Sequence, residues 1–155
     1  MRRSMSPKNS LRVMLLEDND DHAFIAKQCL LRSPTPIELE VFANGREALE
    51  HLESHLQMPE LVLLDLDMPE MDGLSFLQQL QKLLGRASLP VILLTSNMNE
   101  EKIRQAYQLG AAGFVSKPLS APQNLQKLQN YLDLLQIPLT IWPYSHIPSS
   151  ETVAM

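Results

Sequence analysis

Between residues 61 and 73 a row of apolar side chains, Leu61, Val62, Leu63 and Leu64, runs directly into a carboxylate, Asp65. A continuous apolar run of this length predicts a strand buried on both faces, as in a parallel sheet with helices on each side. Pro69 and Gly73 mark a loop behind it, and a helical pattern starts after them. Asp65 then stands where the strand ends, the side on which open parallel sheets bind ligands. Alone, an Asp in that place is as readily explained by turn capping.

The same arrangement recurs along the chain. Residues 13–16 form a compact apolar run that ends in Glu17 and Asp18, with Asn19 and Asp20 suited to cap a following helix. Phe24, Ile25 and Cys29 give that helix an apolar side, and the prolines at 34 and 36 stop it. Ile37, Leu39 and Val41 alternate with Glu38 and Glu40, which predicts a half-exposed strand near a sheet edge. Asn44 and Gly45 make a turn before a helix over 46–56, with Leu49, Leu52 and Leu56 on one side. Leu74, Leu77, Leu80 and Leu84 follow helical spacing up to Gly85. Residues 90–94 read as another buried strand, ending in Thr95, Ser96 and Asn97. A helix face at Ile103, Ala106, Tyr107 and Gly110 precedes a short strand over 113–115, which ends in Ser116, Lys117 and Pro118. Leu125, Leu128, Leu132 and Leu135 define a last helix.

Five strands alternating with five helices predict an α/β fold: a doubly wound, five-stranded parallel sheet. Right-handed crossovers leave the order 2-1-3-4-5 of the flavodoxin-like folds, with the alternating strand at an edge. At 155 residues and 45% hydrophobic content, one domain with a proper core is expected. We place a flexible arm at 1–10, the folded domain at 11–136 and an apolar, proline-rich tail at 137–155. The tail carries the sole tryptophan, Trp142, and is too apolar for a solvated linker. It is expected to pack back on the domain or to bind another chain. A net charge of -5, with no basic stripe, argues against nucleic acid as a partner. One cysteine, no secretory h-region and no apolar run of membrane-spanning length fit a cytoplasmic protein with no membrane partner.

The polar residues that interrupt the strand pattern gather at one rim: Glu17 and Asp18, Asp65, Thr95 and Lys117. Carboxylates so clustered repel unless a cation neutralises them. Mg2+ suits a site with few carboxylates and a phosphate as further ligand. A lysine and a hydroxyl nearby suit phosphoryl oxygens. The constellation points to phosphoryl transfer with an aspartate nucleophile.

Those residues, with Asp67, Met68, Pro69, Asp72 and Gly73 after Asp65, and with Gly110, Ala111, Phe114 and Pro118, resemble the receiver domain of two-component response regulators, of the chemotaxis-type single-domain kind. The likeness spans about residues 11–136. It implies that Asp65 accepts phosphate from a phosphohistidine of a sensor histidine kinase, and that Asp18 and Asp65 bind Mg2+ directly. Glu17 would act through a water, and the backbone carbonyl of Asp67 would be a further ligand. Thr95 would bind the phosphoryl group, Lys117 would pair with it across a cis bond to Pro118, and Phe114 would be the switch aromatic. Asp67 and Asn97 would tune the lifetime of the acyl phosphate. The protein would be a timed switch rather than a turnover enzyme, read by a downstream protein or phosphotransfer partner. The tail beyond the last helix resembles the single-domain regulators that serve bacterial phytochromes, and implies a homodimer through helix five and the tail.

Competing readings exist. Asp65-Leu66-Asp67 also matches the nucleophile motif of Mg2+-dependent phosphohydrolases of the haloacid dehalogenase type. That family begins with this strand and places further acids after the lysine, whereas here the acid pair comes first. A receiver-like module that binds partners without phosphate is a further alternative, and the intact Asp65, acid pair and Lys117 speak against it. His51 and His55, with Glu47, have metal-binding spacing but fit a solvated helix face better. His22 lies just past the acid pair, where it could edge the site, but a surface role fits it better.

Overall fold

The computed structural model describes residues 10–54, 56–66, 68, 73–85, 89–96 and 99–136. Strands β1 (Leu11–Leu16), β2 (Ile37–Phe42), β3 (Leu61–Asp65), β4 (Val91–Thr95) and β5 (Gly113–Ser116) alternate with helices α1 (Asp20–Leu31), α2 (Gly45–Glu53), α3 (Gly73–Leu84), α4 (Glu100–Gln108) and α5 (Pro122–Leu135). The strands form one sheet in the order β2-β1-β3-β4-β5, and every neighbouring pair is parallel. This is the doubly wound, flavodoxin-like order expected from the alternation of the sequence.

The apolar runs divide by alternation. Val62 and Leu64 of β3 join Met14 and Leu16 under Ala48 and Leu52 of α2, Phe76, Leu77 and Leu80 of α3, and Ile103 and Ala106 of α4. Leu61 and Leu63 point the other way, with Val13 and Leu15, onto Ala26 and Leu30 of α1 and Leu128 and Leu132 of α5. The central strands therefore have no solvent face, which is why polar residues enter them only at their ends.

Asparagines start three of the helices. The Oδ1 atoms of Asn19, Asn44 and Asn99 accept hydrogen bonds from the amides of His22 at 3.0 Å, Glu47 at 2.8 Å and Lys102 at 3.0 Å. Each satisfies a donor that the first helical turn leaves without an internal partner. The loop from α1 to β2 is tied to α5, because the buried Thr35 hydroxyl accepts from Gln129 and Gln136.

Three local expectations are corrected. The inward face of α1 is Ala26 and Leu30, while Phe24 is 63% exposed. Ile25 and Cys29 are half-buried, and burial pushes the Cys29 thiol up, an effect partly offset by the positive charge of Arg32. Helix α2 stops at Glu53 rather than Leu56. The Ser54 hydroxyl donates to the His51 carbonyl at 2.6 Å and accepts from the Leu56 amide, and Gln57 turns to positive φ. In β2, Val41 is exposed while Phe42 packs on the opposite core layer, so the alternation marks the edge strand but does not continue to its end.

Candidate functional site

The rim is assembled by the backbone ladder. Leu16 is in register with Leu64, Asp65 with Leu94, and Thr95 with Ser116. The pairing continues just past the strands: the Glu17 amide donates to the Phe42 carbonyl, Leu66 to Leu94, and Lys117 to Thr95. Glu17, Asp65, Thr95 and Lys117 therefore leave rigid strand ends within one or two residues of a ladder bond. The Lys117–Pro118 peptide is cis, as expected.

Gly73 fixes where α3 begins. Its amide donates to the Leu66 carbonyl at 3.0 Å. A Cβ there would lie 2.9 Å from Leu66 Cα and 3.2 Å from the Asp65 carbonyl oxygen. No side chain fits without moving the backbone beside Asp65.

Carboxylate oxygens of Glu17, Asp18 and Asp65 all lie within 4.8 Å of one another. Glu17 and Asp65 are buried, and Asp18 is half-buried. Lys117 enters from the far side. Its Nζ lies 2.8 Å from Glu17 Oε1 and 3.5 Å from Asp65 Oδ1, and its side chain is only 10% exposed. With all four groups ionised, three carboxylates and one ammonium leave a formal charge of -2. Like charges packed so closely need a counter-ion. The donor set is all hard oxygen, which suits Mg2+ and not a thiolate- or imidazole-seeking metal. The residues present therefore fit the expected ion.

Thr95 is buried at the end of β4, one residue beyond the register partner of Asp65. Phe114 is half-buried in β5, with Lys127 Nζ 3.8 Å from its ring centroid. Asp67 and Asn97 lie outside the described residues, as do His55 and the tail from residue 137. His51 does not lie on a solvated helix face. Its ring is turned toward β2, 3.4 Å from Glu40 Oε1 and 5.4 Å from the Phe42 ring.

His22, for which a surface role is the favoured expectation, edges the site. Its Nδ1 lies 3.1 Å from Lys117 Nζ, on the wall of a hollow of about 280 Å3 shared with Glu17, Lys117 and Ser96. Nothing in the linear spacing signals this contact, because Lys117 lies 95 residues further along the chain.

Comparison with known proteins agrees with this geometry. The family described as the response regulator receiver domain matches residues 13–129. The probable methanogenesis regulatory protein FilR2 of Methanothrix harundinacea is 31% identical over 112 residues, 70% of this chain and 72% of the relative. Response regulator Rre1 of Synechocystis is 36% identical over 116 residues, 74% of this chain and 48% of Rre1. The chain thus spans about half of that relative's length. The solved structure of the phosphorylated cyanobacterial phytochrome response regulator RcpA superposes with a TM-score of 0.71 at 25% identity, covering 83% of this chain and 95% of RcpA. On sheet order, on the acidic rim and on the match across most of its length, the chain belongs to the response regulator receiver domain family.

Proposed function

We propose that Asp65 is the phosphoacceptor of this receiver and takes its phosphoryl group from a phosphohistidine on a sensor histidine kinase. One observation carries the reading. A buried carboxylate at the end of β3 lies within 4.8 Å of two further acids and 3.5 Å from a nearly buried ammonium. Asp18 and Asp65 would hold Mg2+ with Glu17 behind them and the Asp67 carbonyl beside them. When bound, the ion supplies positive charge to phosphoryl oxygens that the acidic rim would otherwise repel.

An Asp65 carboxylate oxygen attacks phosphorus, the phosphorus–nitrogen bond to the kinase histidine breaks, and the bonding electrons return to the imidazole. The Lys117 ammonium faces the charge that gathers on the phosphoryl oxygens, and the Thr95 hydroxyl donates to one of them. The product is an acyl phosphate on Asp65. Thr95 and Phe114 sit on adjoining strands, β4 and β5. A shift of Thr95 toward the phosphoryl group would let the Phe114 ring turn inward and alter the face formed by α4, β5 and α5. Downstream partners would read that face.

The receiver match favours this signalling role over a haloacid dehalogenase-type phosphohydrolase or a phosphate-independent binding module. The likeness to RcpA supports a bacterial phytochrome as the kinase class. We place the receiver body at 11–136, the arm at 1–10 and the tail at 137–155, with a homodimer formed through α5 and the tail. A cytoplasmic location agrees with the single cysteine and with the finding that, among the described residues, no helix is long and apolar enough to cross a membrane.

The test uses the pure protein, Mg2+ and acetyl phosphate, read by intact mass. The expected result is the gain of one phosphoryl group, dependent on Mg2+ and abolished by Asp65→Asn. Labelling that survives in the variant would move the acceptor elsewhere. No labelling at all, from acetyl phosphate or from a kinase, would leave a phosphate-independent module.

A further inference from the structure

We propose that His22 is a positioning residue for Lys117, an anchor that keeps its hold on the ammonium when the carboxylates of the rim are drawn to a cation. The inference rests on the acceptor role proposed for Asp65, and its basis is the surroundings of one nitrogen. An ammonium group has three donors and no acceptor capacity. Lys117 Nζ has Glu17 Oε1 at 2.8 Å, His22 Nδ1 at 3.1 Å and Asp65 Oδ1 at 3.5 Å. Two of those partners are close in the chain: Glu17 directly follows β1, and His22 lies in the first turn of α1. They hold the ammonium from one side, and the third partner is the proposed acceptor itself.

Nδ1 can take part only as an acceptor, since every hydrogen on the lysine nitrogen points outward. The ring is therefore in the tautomer that carries its proton on Nε2. The alternative pairing, Nδ1–H with Glu17 Oε2 at 3.9 Å, is beyond hydrogen-bond reach. The backbone reinforces the arrangement, because the His22 amide is capped by Asn19 Oδ1 at 3.0 Å, which fixes the first turn of α1 relative to the rim. The Asn19 amide in turn donates to Glu17 Oε2 at 3.3 Å.

The two anchors differ in kind. Glu17 is a carboxylate in a cluster that suits a hard cation, so its grip on Lys117 weakens whenever its oxygens turn to the ion. An imidazole nitrogen is a poor ligand for such an ion and has no reason to leave the lysine. His22 would hold the ammonium within reach of Asp65 in the loaded state, when Glu17 cannot.

Two measurements test this. In protein labelled with 15N-histidine, the side-chain spectrum should show His22 as the Nε2–H tautomer with an acceptor Nδ1, and Lys117→Met should abolish the preference. A protonated Nδ1, or a tautomer ratio that ignores Lys117→Met, would overturn the contact. In Mg2+-dependent labelling by acetyl phosphate, His22→Ala should slow the maximal rate by about three- to ten-fold, with little change in the donor concentration at half-maximal rate. His22→Asn, whose side-chain oxygen falls near the Nδ1 position, should recover most of that loss. Equal rates for wild type and His22→Ala, or equal losses for the Ala and Asn variants, would reduce His22 to a helix residue. If the wild type takes no label, the acceptor role fails and the positioning role fails with it, while the tautomer still decides whether the contact exists.

Discussion

The two ends of the sheet are built from the same strands and differ in almost everything else. At the carboxyl end lies a hollow of about 280 Å3 beside Glu17, His22 and Lys117. At the amino end a larger cavity of about 480 Å3 is walled by Leu77, Leu80, Leu84, Leu89, Pro90, Tyr131 and Leu134. The larger space has the weaker claim to chemistry. Among the described residues its wall carries no carboxylate, imidazole or ammonium, whereas the smaller one is lined by Glu17, His22 and Lys117, beside the rim that also holds Asp18 and Asp65. Volume follows the packing of helix ends, and reactivity follows where strands stop. In a sheet covered on both faces, a polar side chain has no place along the strands and collects where they end.

The sharpest break in that contrast is the loss of Lys117. In Lys117→Met the acids have no ammonium against them, and labelling by acetyl phosphate should fall about a hundredfold. A rate within a few-fold of wild type would remove the lysine from the mechanism. The apolar end should respond in the opposite sense. Leu80→Ala should lower unfolding stability by about 2–5 kcal/mol in denaturant titration, with the labelling rate per folded molecule unchanged. A loss of rate at full folding would show that the two ends are coupled.

A smaller effect distinguishes charge from packing at the rim. Without divalent ions, Asp18→Asn removes one of the mutually repelling carboxylates and should raise stability by about 1 kcal/mol, near 4 °C in melting temperature. Added Mg2+ should erase the gain, because the wild type then has its counter-ion. A variant less stable than wild type in chelator would mean that Asp18 is held by favourable contacts instead. Smallest of all, Lys127→Ala removes the ammonium over the Phe114 ring and should cost no more than about 1 kcal/mol. If Phe114 is the switch aromatic, the same variant should alter how readily phosphate changes the exchange of amides in α5. An unchanged response would make the contact a packing detail.

Much of this contrast was legible in the sequence, for reasons tied to particular residues. The runs at 61–64 and 90–94 have no polar residue to confuse them, so the strands, their two-sided burial and the acids and hydroxyl at their ends could be read directly. Helix α1 was harder. Its apolar residues are few and scattered around the helix, and the choice of Phe24 over Ala26 as inward-facing followed size rather than phase. The end of α2 turned on a Ser54 hydroxyl bond that apolar spacing does not report. His22 was undervalued because its partner, Lys117, is 95 residues away in the chain. Only the closure of the sheet brings them together, and linear spacing carries no trace of that.

The tie between the Gly73 amide and the Leu66 carbonyl, 3.0 Å long, has a consequence for heredity. The chain leaves the end of β3 and returns to nearly the same point to begin α3. Between those points Met68 is buried in the same core cluster as Phe76 and Leu77 of α3, so its side chain is fixed by packing. A lineage is free to exchange Met68 only for another apolar side chain of similar volume. Gly73 has no such freedom, since any Cβ would meet the Leu66 backbone at 2.9 Å. The stretch next to Asp65 is thus held at two points, at one by packing and at the other by the want of room for any side chain.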